Sequence, residues 1–247
     1  MGSLCRARPR PRSRPLSTHL HSAVRRPWPI VERRALPATL HGELPETHGQ
    51  RLACICAPLK SAVVIGSAQA ADDFDAGRLK TAGVDLVRRR SGGGAVLVSP
   101  GAQVWIDVFV PSGDELADKD VGNSFYWLGE LFAAALKSVL GLPQGVLDVH
   151  RGAPLSTPWS KVLCFAGLGA GEVSVSGRKV VGMSQRRQRS GSWIHSMAIL
   201  EANDLAELIS GPPRRRAEAR SVLEASGLRG CGELAGPLAE ELLSLLP

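Results

Sequence analysis

The sequence predicts an α+β domain with a mixed or antiparallel sheet and flanking helices. Three observations predict it. β-type runs follow one another closely between residues 52 and 111, a long helical run occupies 123–141, and a second set of strand-like runs precedes a helical tail. Strands and helices that come in blocks build segregated layers. A chain of 247 residues, 44% of them apolar, suffices for one large domain with extensions.

Taken in order, residues 1–31 hold seven arginines and no acidic residue, with proline and serine between them. Such a segment buries too little apolar surface to offset its ordering entropy, so a disordered basic leader is expected there. Ordered structure is expected to begin near Trp28, and the folded domain is assigned to 32–247. RLACICAP and SAVVIGSA read as two short strands separated by Pro58. ADDFDAGRLKTAG, with acids early and Gly83 at its end, reads as a short helix or turn. VDLVRR, GAVLVS and QVWIDVFVP, joined by SGGG and PG, predict an antiparallel meander.

The helix over 123–141 rests on Phe125, Leu128, Leu131, Phe132, Ala135, Leu136, Val139 and Leu140, which recur at three and four. Gly141 and Pro143 end it. KVLCFAGL, GEVSV and RKVVGMS are strand-like, with Ser176-Gly177 as a two-residue turn between the last two. That register sets Ser174 opposite Lys179 and Glu172 opposite Val181. It puts Lys179 on the face of Glu172, with Val173, Val175 and Val180 on the other. The tail 203–247 reads as helical, broken at Gly211-Pro212-Pro213.

The net charge of +7 invites a nucleic-acid reading, but the leader's seven arginines account for it: residues 32–247 carry 23 basic and 23 acidic side chains. A formally neutral body lacks the basic face such binding needs, so no nucleic-acid partner is expected. The five cysteines include no CxxC pair, so no metal ligands are assigned, and a reducing compartment, the cytoplasm, is expected. No apolar run approaches the roughly 20 residues of a membrane span.

Two stretches carry candidate chemistry. In RRRSGGGAV the arginines suit phosphate or carboxylate, and the glycines let backbone approach a ligand closely. A phosphate loop of the GxxxxGK[ST] type is absent, and a dinucleotide loop opens a helix, whereas Gly92–Gly94 lead into the strand AVLVS. Two readings stand: an anion-binding concavity of backbone amides, or a wide hairpin loop with surface arginines. In GRKVVGMSQRR one lysine interrupts an apolar strand. It either points into a cleft or sits solvated at an edge.

In that order, RRRSGGGAV, GRKVVGMSQRR and His195 in SWIHSMAIL resemble the lipoate–protein ligase family, within the wider biotin/lipoyl-ligase and octanoyltransferase catalytic-domain fold, over about residues 35–200. The resemblance implies that Arg88, Arg89, Ser91, Gly92, Gly93 and Gly94 line a site for an acyl-adenylate. It implies that Lys179 holds the acyl carbonyl and phosphate, and that Gly182 and Ser184 border an acyl tunnel, with His195 on the neighbouring strand. A fixed cation in a water-poor cleft stabilises the negative charge that acyl transfer builds on oxygen. The implied substrates are lipoate or octanoate, with ATP and Mg2+ if the protein is a ligase. The implied acceptor is a lysine on a lipoyl carrier domain of a 2-oxoacid dehydrogenase or on the glycine cleavage H protein.

Departures from the family pattern open alternatives. Val98-Ser99 stand where the family often has His-Asp, and Gly171-Glu172 where ligases commonly have the Asn-Asp that assists the metal. Ser196 replaces a glycine after His195. Cys164, followed by Phe165 and then Glu172 ahead of the lysine hairpin, is similar to the cysteine-dependent octanoyltransferases of this fold. These take octanoyl from acyl carrier protein as a thioester without ATP. A cysteine in an apolar run also serves as a small buried residue. The first reading is therefore ATP-dependent ligation through an acyl-adenylate. The alternatives are ATP-independent octanoyl transfer with Cys164 as nucleophile, and a non-catalytic lipoate-binding module. The run Gln185–Arg189 suits an acidic carrier domain or a solvated loop.

Overall fold

The computed structural model describes residues 28–247, so the expected leader falls, up to residue 27, outside the described residues. β1 (Ile30–Ala35) lies parallel to β2 (Leu52–Pro58), with α1 (Pro37–Gly42) between them in sequence. After β3 (Ala62–Ile65), α2 (Ala76–Ala82) is capped by the Asp75 carboxylate, which accepts from the Arg78 amide, and ends at Gly83 in the left-handed region. There follow β4 (Asp85–Arg88), β5 (Val96–Val98), β6 (Gln103–Pro111) and α3 (Asn123–Leu140). β7 (Leu147–Val149), β8 (Val173–Val175), β9 (Arg178–Gln188) and β10 (Gly191–Ile199) complete the strands. The tail contributes α4 (Pro213–Glu224) and α5 (Ala235–Ser244).

These strands make two sheets. The larger has the order β1-β2-β6-β10-β9-β8-β7 and is antiparallel except for its first pair; the smaller has the order β4-β3-β5. Along β6, Val104, Ile106 and Val108 join Phe132, Leu136 and Leu238 in a core under α3 and α5. Trp105 and Phe109, on the alternate positions, join Cys54, Val64 and Trp193 in a second core between the sheets. The far face of the small sheet packs Val63 and Ile65 against Leu79 of α2 and Ala219 of α4. A strand buried on both faces reads as continuous apolar sequence, which is why QVWIDVFVP shows no alternation.

Three expectations change. VDLVRR, GAVLVS and QVWIDVFVP do not form a meander: β4 and β5 flank β3 on opposite sides, β4 parallel to it, and β6 belongs to the other sheet. SGGG is therefore a crossover that carries the chain over the end of β3. It passes so close that a Cβ on Gly66 would lie 2.0 Å from the Gly93 carbonyl oxygen, and Gly93 itself has φ +100°. KVLCFAGL is not a strand: Cys164–Ala166 form one 3-10 turn, and Leu163 just before it bridges to Ala95, the residue ahead of β5. The Ser176-Gly177 turn holds, and Ser174 does face Lys179, but a bulge at Val173/Ser174 sets Val173 rather than Glu172 opposite Val181. The bulge takes Glu172 out of the pairing with β9 while its carboxylate stays beside Lys179.

Candidate active site

The hairpin β8–β9 aims Lys179 inward. Its ammonium lies 2.6 Å from Glu172 Oε2 and donates to the Cys164 carbonyl oxygen at 2.8 Å, 5.1 Å from the centre of the Phe165 ring. Glu172 in turn accepts from the Gly169 amide through Oε2 and from the Met183 amide through Oε1. Both side chains of the pair are buried. Gly129 of α3 makes this placement possible, because a Cβ there would lie 2.0 Å from the Gly171 carbonyl oxygen.

The glycine crossover is stitched to the Cys164 turn. Ala95 donates to the Val162 carbonyl and accepts from the Cys164 amide at 2.9 Å. A Cβ on Gly94 would come within 2.9 Å of the Leu163 and Cys164 backbones. Gly94→Ala is therefore expected to push the two segments apart and lower the melting temperature, which a thermal melt checks.

Arg88 and Arg89 are placed differently from what a phosphate grip needs. Arg88 donates to the carbonyls of Gly66, Ser67 and Gln69 and lines neither cavity of the site. Arg89 is buried and donates to the carbonyls of Val64, Gly92 and Gly94, so its guanidinium shapes the loop from within. Burial works against its charge and lowers its pKa, and the neighbouring Cys164 acts in the opposite direction. The amides of Gly92, Gly93 and Gly94, by contrast, donate to no acceptor among the described residues. The Ser91 and Ser184 hydroxyls meet at 2.9 Å.

Two connected spaces result. An outer cleft of about 220 Å³ is lined by Gly92–Gly94, Lys179, Glu172, Leu155 and Ser160. An inner slot of about 40 Å³ is walled mainly by apolar atoms, with Val96, Phe165, Gly182, Ser184, Met197 and His195 on it. Arg89, Cys164 and Met183 border both. Gly182 leaves room for the Phe165 ring, which a Cβ there would meet at 3.2 Å. The structure thus gathers Cys164, Lys179, Arg89, the glycines, Gly182, Ser184 and His195 at one place, and leaves Arg88 outside it. Of the run Gln185–Arg189, Arg187 is held by the carbonyls of Asp118, Lys119 and Asp120.

Sequence reasoning missed Asp107 and His41. Asp107, fully buried and directly across from His195 on β6, sets Oδ2 2.8 Å from His195 Nδ1 and accepts from Trp105 Nε1 at 2.6 Å through Oδ1. A lone acid inside QVWIDVFVP was the available signal. His41 stacks on Trp105 at 4.5 Å, and neither ring nitrogen has a partner. Burial, aided by the charge of His195, lowers its pKa from 6.5 to about 3. The unfolded chain then takes up a proton near 6.5 that the folded state refuses, so this contribution to stability is complete above that pH and is lost as the pH falls toward about 3. His41→Phe is expected to shift the acid-unfolding midpoint to lower pH, measured by circular dichroism.

Glu172 accepts from two backbone amides and pairs with Lys179, and among the described residues no group of three His, Cys, Asp or Glu side chains could hold a metal ion. No helix among them is long and apolar enough to cross a membrane.

The site thus rests on two sheets with a core between them, a glycine crossover and an inward lysine on a hairpin. The chain belongs to the lipoyl protein ligase A/B catalytic domain family, whose pattern matches residues 31–222. It is 25% identical over 130 residues to octanoyltransferase LipM of Clostridioides difficile (strain 630), a match over 53% of this chain and 46% of that protein. The chain thus spans about half the length of this curated relative. Among solved structures, the bipartite lipoate protein ligase of Thermoplasma acidophilum, described with its E2 lipoyl domain, has a TM-score of 0.61 at 17% identity, over 87% of this chain and 82% of that one. A lipoate-protein ligase A bound with ATP has a TM-score of 0.58 at 18% identity, over 88% and 94%. At such identities these likenesses show the fold.

Proposed function

We propose that this domain transfers an octanoyl or lipoyl group from a carrier thioester to a lysine of a lipoyl carrier domain, with Cys164 holding the group in between. The observation that carries this reading is the position of Cys164, on the border between the polar cleft and the apolar slot. An acyl chain lying in the slot has its carbonyl carbon at that border. The Cys164 sulfur attacks this carbon, the bond to the acyl carrier protein's sulfur breaks, and that thiol leaves with the proton. The acceptor lysine's amine then attacks the new thioester, an amide forms, and Cys164 recovers its thiol. Lys179, held in place by Glu172, and the free amides of Gly92–Gly94 stabilise the oxyanion formed at each step. Gly182 and Ser184 keep the slot open for the chain.

This places cysteine-mediated transfer ahead of the acyl-adenylate route that the RRRSGGG motif favours. The physical ground is that Arg88 and Arg89 are engaged by backbone carbonyls. The similarity to an octanoyltransferase supports the same order. The adenylate route has one observation in its favour, the unpartnered amides of the glycine loop, which suit a phosphate as well as an oxyanion. A lipoyl domain incubated with labelled octanoyl-acyl carrier protein and no ATP is expected to become labelled. Labelling only from free octanoate with ATP and Mg2+ contradicts the proposal. Binding of lipoate with no labelling from either donor identifies a non-catalytic module.

A further inference from the structure

We propose that the open edge of β1 pairs with the same edge of a second copy of this chain, antiparallel and centred on Arg33. β1 ends the larger sheet, with β2 on one side of it and, among the described residues, no strand on the other. In a parallel ladder the N–H and C=O of one residue point to one side, and those of the next residue to the other. β2 takes the odd positions of β1 and its flank. The Pro29 carbonyl accepts from the Ala53 amide at 2.9 Å, and the Ala35 carbonyl from the Leu59 amide at 3.0 Å. The backbone groups of Ile30, Glu32 and Arg34 therefore turn outward, and none has a backbone partner there among the described residues.

Such an edge is a template for another strand, and folded chains commonly block it with lysine, proline or a bulge. Ile30–Ala35, with the sequence IVERRA, carries none of these. Glu32 and Arg34 are exposed, opposite in sign, and without ion-pair partners among the described residues. An antiparallel copy centred on Arg33 sets each Glu32 opposite an Arg34, where the two residues exchange their outward N–H···O bonds. The same register sets Ile30, 49% exposed, opposite Leu36, 50% exposed, and Val31 opposite Ala35. Opposed residues share a face, so acid meets base and apolar meets apolar along the whole seam. Arg33 would meet its own copy at the axis, but it is drawn off the edge. Its guanidinium donates to the carbonyls of Thr39, Leu40 and Glu43. A surface that complements itself about one point is what a two-fold interface requires, and it commits this edge to a second copy.

The seam is one strand wide, so the dimer is weak, with a dissociation constant on the order of 10 µM. Sedimentation of the full chain between about 1 and 100 µM is expected to show a monomer–dimer equilibrium. Glu32→Arg sets like charges opposite each other at both rungs, as does Arg34→Glu, and each is expected to weaken association about tenfold or more. The double variant Glu32→Arg/Arg34→Glu re-creates both pairs and is expected to regain it. An equimolar mixture of the two single variants is expected to associate as well, since one supplies only arginine at the rungs and the other only glutamate. Melting curves verify that each variant is folded. A parent chain that stays monomeric at about 100 µM overturns the inference and leaves the edge to another occupant, residues 1–27 of this chain included. A dimer indifferent to Glu32→Arg overturns it, as do single variants whose mixture stays monomeric.

Discussion

Lys179→Ala is expected to lower acyl transfer by about 1,000-fold or more and to destabilise the domain. The rate loss follows from removing the lysine cation that the β8–β9 hairpin holds at the cleft. Single oxyanion-stabilising groups in other enzymes account for about 10²–10³ in rate, and a full charge in a dry site exceeds a neutral donor. The stability loss follows from Glu172, whose side chain is only 7% exposed and is left as an uncompensated buried carboxylate. Breaking such a pair from one side costs about 3–5 kcal/mol. Two backbone amides remain on Glu172, which favours the lower end of that range. Urea denaturation of Lys179→Ala beside the double variant Glu172→Gln/Lys179→Met separates the effects. The double variant is expected to regain most of the stability and none of the activity. Recovery of activity in it contradicts the role given to the ammonium.

Cys164→Ser is expected to abolish transfer from acyl carrier protein while leaving the fold intact. A serine hydroxyl is a far weaker nucleophile than a thiol at neutral pH and has no comparable route to an activated form. The fold is spared because the structural bonds of this residue run through its backbone: its amide donates to the Ala95 carbonyl and its carbonyl accepts from Lys179. A melting temperature within a degree or two of the parent, with no transfer, is the expected pair of results.

Much of this site was legible in the sequence because its glycines and its lysine hairpin are local features. RRRSGGGAV and GRKVVGMSQRR each stay within one turn and its flanking strands, and Ser176-Gly177 fixed the facing of Ser174 and Lys179. What escaped was non-local. The crossover of SGGG over β3 depends on β4 choosing β3 as a parallel neighbour, a pairing that reaches back over α2. The 3-10 turn at Cys164 lies in an apolar run that length and composition cannot tell from a strand. The orientation of Arg88 and Arg89 is set by carbonyls from Val64 to Gly94, which a motif does not show. Asp107 acquires meaning only when β6 and β10 pair and place it against His195.

If Cys164 carries the acyl group, the mass of the intact protein reveals it. After brief mixing with octanoyl-acyl carrier protein, without ATP and without acceptor, the protein is predicted to gain one octanoyl group on Cys164. Hydroxylamine removes that group, and the lipoyl domain consumes it. An unmodified protein under these conditions, with acyl-AMP formed instead from octanoate, ATP and Mg2+, would contradict it.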